Sequence, residues 1–136
     1  VYKRQVLLMH GDTLCTDDTE YQQFRTLVRD PMWQQDFLSK PLSHRLAMAE
    51  EARDASRTET ASKPTEIMDV NQDAVEQAMT RHGVSTMIHG HTHRPGIHEF
   101  EIDGKMVRRI VLGDWHETGS VLRMSSDGVD LATLPR

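Results

Sequence analysis

Val84-Ser85-Thr86-Met87-Ile88-His89-Gly90-His91-Thr92-His93-Arg94-Pro95-Gly96 is the stretch on which the reading of this chain turns. Val84 to Ile88 has the short apolar character of a strand. It delivers His89, His91 and His93 into a loop that Gly90, Pro95 and Gly96 keep irregular. Imidazole is the commonest protein ligand for transition metals, and a loop with a glycine inside it can turn successive rings toward one point. The spacing alone fits a surface loop of solvated histidines equally well. A second junction shifts the balance: Gln5 to Met9 is a nearly continuous apolar run, read as a strand buried on both faces, and it ends at His10-Gly11-Asp12. A third follows Leu112-Gly113, where Asp114-Trp115-His116 stands. Histidines at neighbouring strand ends are what a metal cleft at a sheet edge requires, and strand ends are where sites sit in α/β folds.

Outward from these junctions the pattern alternates between sheet and helix. Asn71 predicts a helix N-cap, with Val70 and Val75 at the positions of a hydrophobic staple and Gly83 as the stop after His82. Phe100–Ile102 and Met106–Leu112 flank Asp103-Gly104, and Val121–Met124 and Val129–Leu134 flank a turn containing Asp127-Gly128; both predict hairpins. From Thr19 the character changes. Tyr21, Phe24, Leu27 and Val28 fall at helical spacing, Pro31 interrupts, Trp33, Phe37 and Leu38 follow, Pro41 interrupts again, and Leu42–Arg57 is rich in Ala, Glu, Arg and Met. This predicts a helical insertion at about 19–64 within an α/β fold, with Arg57–Pro64 as a polar loop. Trp33, Phe37 and Leu38 would form the inner face of its helices or line an apolar chamber, since both tasks use the same residue types.

The 136 residues amount to one ordinary domain, 37% apolar and 27% charged, which excludes a disordered chain, a fibre and a two-domain machine. No window approaches the roughly 20 apolar residues that span a bilayer, which predicts a soluble chain. A net charge of -5 argues against a nucleic-acid partner. The lone Cys15 has no internal disulfide partner, which fits a reducing cytoplasm and a packing role. The opening Val1-Tyr2-Lys3-Arg4 lacks an initiating Met and runs almost at once into a motif, as a portion of a longer protein would.

Among the remaining candidates, Asp12 is placed to orient His10 by accepting its other ring proton, although a carboxylate after glycine is also an ordinary turn residue. Asp114 carries the same ambiguity. His89 reads as a loop or supporting residue, and His44, His82 and His98 as solvated. Arg94 beside the histidines suits a phosphate with its planar fork, whereas Lys63 on the bare sequence is a solvated lysine.

The strand-His-Gly-Asp element, Gly-His-Thr-His and the later Leu-Gly-Asp-Trp resemble the last motifs of the calcineurin-like metallophosphoesterases, binuclear hydrolases with an αββα sandwich. Met9 to Asp18, Tyr21, the insertion, His89 to Pro95 and Leu112 to Trp115 are closer still to one branch, the pyrophosphatases of bacterial lipid A synthesis. The resemblance covers essentially the whole chain, as the C-terminal portion of one metallophosphoesterase domain with a helical lid. It implies His10 and His91 as ligands of one manganese ion and His93 of a second, with all three catalytic. It also implies substrate contacts from Asp18, Ser56, Thr60 (where the family commonly has Asn), Lys63 and His91. The implied reaction is attack of water on the α-phosphorus of UDP-2,3-diacylglucosamine, releasing UMP and 2,3-diacylglucosamine 1-phosphate. The implied place is the cytoplasmic face of the inner membrane, in peripheral contact with lipid.

The family's opening motifs, an Asp-x-His, a further Asp and a Gly-Asn-Arg-Asp, belong upstream of the His-Gly-Asp strand, and none stands before His10 here. Three neutral imidazoles without a bridging carboxylate suit one ion rather than two, so half a metal site is expected within these residues. Two other readings stay open. One is a metallophosphoesterase acting on another phosphodiester or nucleotide; the other is a non-catalytic fragment or single-metal module.

Overall fold

A computed structural model describes residues 5–126 and 128–135. β1 (Leu7–Met9) leads to a single 3-10 turn at Asp12–Leu14; α1 (Thr19–Val28), α2 (Pro31–Ser39), α3 (Leu42–Ser62) and α4 (Gln72–His82) follow. Then come β2 (Thr86–His89), β3 (Gly96–Ile102), β4 (Lys105–Val111), β5 (Thr118–Met124) and β6 (Val129–Pro135). The chain is of mixed α/β class and divides into two compact units: the residues up to Cys15 with those from Asp69 onward, and Thr16–Met68.

The first unit is built on a four-stranded sheet in the order β1-β2-β4-β3. β1, β2 and β4 are parallel, and β3 returns antiparallel on β4. The β3–β4 hairpin closes on Asp103 and Gly104 at φ 49° and 74°, the left-handed pair that a two-residue turn matched to strand twist requires. β5 and β6 form a separate antiparallel pair, as the alternation predicts, with the Ser125 amide donating to the Gly128 carbonyl across the turn. Asp127, placed in that turn by the sequence, lies outside the described residues, as does Val1–Arg4.

One expectation fails in this sheet. The first strand is not buried on both faces: β1 pairs only with β2 among the described residues, and Leu8 is 70% exposed. An apolar run gives no sign of whether a second layer covers its outer face.

The core of the unit forms where α4 covers one sheet face. Asn71 caps α4 by accepting the Ala74 amide, 3.1 Å, and Gly83 ends it with its N–H on the Met79 and Thr80 carbonyls. Val75 and Met79, both buried, meet Leu14, Met87 and Val107, with Val70 and Phe100 packed at the margin. Met87 and His89 share one face of β2, and Val107 and Arg109 share one face of β4. Toward the carboxyl ends of the strands the same buried face therefore passes from apolar to polar, and His89 and Arg109 are 1% and 8% exposed.

The second unit is helical throughout. Asp18 caps α1 by accepting the Tyr21 amide, Asp30 caps α2 by accepting from Met32 and Trp33, and Pro31 and Pro41 stand at the starts of α2 and α3. The interruptions fall where the prolines put them. Of the polar loop expected over 57–64, residues 57–62 instead form the end of α3, and Lys63 and Pro64 lie beyond it. Nothing before Pro64 forbids the helix, and Thr58 and Ser62 return their hydroxyls to the Asp54 and Glu59 carbonyls. The expected inner face forms only in part, with Trp33 and Phe37 half-buried. Trp33 and Phe37 stack at 5.1 Å, but Leu38 is 63% exposed and none of α1, α2 and α3 buries a residue. Among the described residues, no helix is long and apolar enough to cross a membrane.

Because Met79 fills the centre of the apolar cluster, Met79→Ala is expected to lower stability by about 2–5 kcal/mol. Asn71→Ala should cost about 1 kcal/mol and Asn71→Ser much less. Urea denaturation followed at the amides of β2 and β4 measures both.

Candidate metal and phosphate site

The parallel pairing of β1 and β2 sets Met9 opposite His89 and carries the two loops forward in step. The Gly90 amide then donates to the His10 carbonyl at 3.1 Å, one position beyond the last strand pair. Gly11 passes so close that a Cβ there would lie 2.8 Å from Nδ1 of His89, and its φ of 108° is one that L side chains rarely adopt. The approach brings His10 and His91 together, their rings 4.8 Å apart and tilted by 56°. Asp12, its side chain 6% exposed, lies 3.1 Å from Nδ1 of His10, so Nε2 is the nitrogen left to face outward.

His91 and His93 both hold positive φ, 68° and 54°. The Thr92 amide donates to the Gly90 carbonyl at 2.8 Å and closes a three-residue turn centred on His91. That turn is a rare, strained form, and such a backbone costs about 1–3 kcal/mol unless its surroundings impose it. The surroundings here include His89, whose Nδ1 lies 2.8 Å from the same carbonyl, and Arg109, whose Nη1 lies 3.1 Å from Nε2 of His89. Burial, with the Arg109 charge adding to it, holds His89 below the ordinary histidine range. It is therefore neutral at pH 7 and sits behind the loop as a supporting residue.

His93 points to the third junction. Its Nδ1 lies 3.5 Å from Asp114, and its ring 6.4 Å from that of His116. Asp114-Trp115-His116 spells an Asp-x-His triplet, downstream of the family's position for one, and its placement beside His93 is a finding of the fold. Arg94, a phosphate candidate from its neighbours, instead pairs with Asp69. Burial works to raise the Asp69 pKa, but the Val70 amide, the hydrogen bond from Arg94 and the charges of Arg94 and Arg109 outweigh it and hold the carboxyl low.

The donor set suits a borderline divalent ion, with imidazoles at strand ends and one ring oriented by a carboxylate. It is also incomplete, since among the described residues no three His, Cys, Asp or Glu side chains are grouped as a metal ion would need.

In the helical unit Asp18 and Lys63 meet at 2.8 Å with both side chains 11% exposed, and Glu20 and Glu59 lie 3.0 and 3.8 Å from the same ammonium. The Asp18 hydrogen bond raises the Lys63 pKa above 10.5 against the opposing effect of burial, with Glu20 adding to the rise. Lys63 is thus a paired lysine, not the solvated one expected from bare sequence. A cavity of about 490 Å³ lies here, lined by Asp18, Thr19, Glu59, Ser62, Lys63 and Pro64 among others. Ser56 and Thr60 are exposed on α3 at a spacing that sets them on one helical face, and they are not in that lining.

No family model matches the chain. Curated relatives do. It is 50% identical to the UDP-2,3-diacylglucosamine hydrolase of Serratia proteamaculans (strain 568) over 135 residues, which is 99% of this chain and 56% of that protein. The protein of the same name from Stenotrophomonas maltophilia (strain K279a) is 50% identical over 143 residues, 100% of this chain and 58% of the relative. That of Yersinia pseudotuberculosis serotype O:1b (strain IP 31758) is 50% identical over 135 residues, again 99% and 56%. The chain spans little more than half the length of these relatives. With half its residues identical over essentially its whole length, the chain resembles a little more than half of a UDP-2,3-diacylglucosamine hydrolase.

Proposed function

We propose that this chain is the C-terminal part of a metal-dependent hydrolase of the calcineurin-like αββα class, which cleaves the pyrophosphate bond of UDP-2,3-diacylglucosamine in lipid A biosynthesis. The observation that carries the reading is 50% identity along the whole chain to proteins of that name. The close approach of His10 and His91 at two parallel strand ends supports it. Water attacks the α-phosphorus and the bond to the bridging oxygen breaks. UMP leaves with the water's oxygen, and the sugar keeps its phosphate as 2,3-diacylglucosamine 1-phosphate.

Divalent ions, manganese in this proposal, would, when bound, supply polarisation of a phosphoryl oxygen and a lowered pKa for a bound water. His10 and His91 would hold one ion and His93 the other. Asp12 fixes the His10 ring so that one nitrogen stays free for this task, and Asp114 lies where it can do the same for His93. The carboxylates that keep two like charges together belong, in this reading, to the portion of the relatives' length that the chain does not span.

Recognition of the substrate falls to the helical unit. Lys63 lines a polar cavity together with Asp17, Asp18, Glu20 and Glu59, a lining that suits the hydroxyl and amide groups of a sugar or uridine and takes a phosphate only if it displaces Asp18 from Lys63. Phe24, Leu27, Met32, Leu38, Leu42 and Leu46, each 49% exposed or more, offer apolar surface to acyl chains. Burial is worth roughly 0.8 kcal/mol per CH₂, so the chains would dominate affinity and hold the enzyme peripherally at the cytoplasmic face of the inner membrane.

His91→Ala and His93→Ala in the intact protein should each lower turnover at limiting manganese by orders of magnitude while leaving the melting temperature nearly unchanged, because loop residues contribute little to the core. Near-normal release of UMP by both would end the metal assignment. Lys63→Met should raise KM for the diacylated substrate. Because it also leaves Asp18 without its cationic partner, with only the Tyr21 amide, among the described residues, still donating to it, it should destabilise the helical unit by about 1–3 kcal/mol. With the Lys63 pKa raised, the pair's contribution to stability is complete at neutral pH and is lost only as pH rises beyond 10.5, so wild type and variant should converge in alkaline urea titrations.

A further inference from the structure

Arg109 is 8% exposed in the middle of a sheet, and among the described residues it makes no ion pair. Its Nε is buried with no hydrogen-bond partner among the described residues. Asp69 acts on it through its charge but makes no contact with it, and a guanidinium is rarely buried so completely without a carboxylate in contact. Among the described residues, the one side-chain bond it makes is Nη1 to Nε2 of His89, 3.1 Å. Arginine only donates, so Nε2 of His89 is the acceptor, and the ring's single proton must stand on Nδ1. That N–H points at the Gly90 carbonyl, 2.8 Å away, the same oxygen that receives the Thr92 amide and closes the positive-φ turn of His91. A line of donors thus runs from β4 through β2 to the backbone of the residue that faces His10.

We infer that Arg109 is a positioning residue for the ligand loop: by donating to His89 it selects the ring tautomer that holds the Gly90 carbonyl, and so keeps His91 turned toward His10. The histidine spacing shows nothing of this, because Arg109 lies 18 residues beyond His91 and reads as one of two arginines in a strand. An apolar residue in its place would leave Nε2 of a buried ring without a donor. The proton would then gain nothing by staying on Nδ1, and the Gly90 carbonyl would lose one of its two donors. The metal consequence rests on the function proposed above; the tautomer does not.

The first measurement needs no substitution. Long-range ¹H–¹⁵N correlation of the intact protein loaded with zinc, a diamagnetic ion, should show His89 neutral with its proton on Nδ1; a proton on Nε2, or a doubly protonated ring, overturns the inference. In Arg109→Met the His89 signals should move to the other tautomer or to a mixture, and manganese affinity measured by calorimetry should fall about tenfold to a hundredfold, the usual effect of removing such a supporting bond. Arg109→Lys, which restores a donor, should recover part of both, and it serves as the test where the Met variant does not fold. An unchanged tautomer with affinity within twofold of wild type in the folded variant overturns the inference. His91→Ala separates the two claims. If it weakens manganese binding and Arg109→Met does not, the metal reading stands and the positioning role falls; if His91→Ala changes nothing, the metal reading falls and takes the loop role with it.

Discussion

The bond from the Gly90 amide to the His10 carbonyl extends the β1–β2 ladder one step past the ends of both strands, and the meeting of the two histidine loops depends on that step. Parallel strands bring their carboxyl ends to the same edge, so loops leaving them in register stay side by side for a residue or two before diverging. His10 and His91 lie within that short interval. A slip of one residue in β1 or β2 would reverse every side chain and send Met87 and His89 to the opposite face. The apolar half of the sheet, where Met87 meets Val75 and Met79, therefore fixes the geometry of the polar half. Gly11 is the condition for it, since only a residue without Cβ passes His89 at this distance.

Most of the first unit could be read from one-dimensional signals because its elements end on residues with local reasons to end them. Asn71 and Gly83 bound α4, and Asp103-Gly104 sets the hairpin, through interactions within a few residues of each. The failures have the opposite cause. Whether Leu8 faces solvent depends on what covers a sheet face, and whether 57–62 is helix or loop depends on the run of α3 before it, since Thr and Ser return their hydroxyls to either backbone. The exposed face of α2 is of the same kind, since amphipathic spacing states which residues share a side but not that anything lies against it.

The candidate site was legible in its donors and illegible in its supports. Three histidines at two strand ends stand out by type and spacing, within a chain that is 50% identical to its curated relatives over 99% of its length. Arg109 and the pairing of Asp114 with His93 do not stand out, because each contact joins residues about 20 apart through strand order. Lys63 illustrates a third case. Its partner Asp18 lies 45 residues upstream, and the pair exists only because the helices between them return to their starting point. Charged residues in polar stretches are solvated by default, and only closure of the unit takes this one out of water.

The two units also differ in what holds them. The first is organised around a buried apolar cluster and a register that tolerates no slip, so it resists partial opening as a packed core does. The second has caps, helix-internal bonds and the Asp18–Lys63 pair, but no residue of α1, α2 or α3 is buried. Elements with few buried apolar contacts sit at the low end of local stability, where lids and binding segments are found. The function proposed above would use both properties in separate places, since metal ligands must stay fixed to within a fraction of an ångström while a surface that takes up acyl chains must yield to them. Apolar side chains left exposed on α1, α2 and α3 would be a defect in a free-standing helical domain. They become intelligible as surface kept available for the hydrocarbon of the proposed substrate.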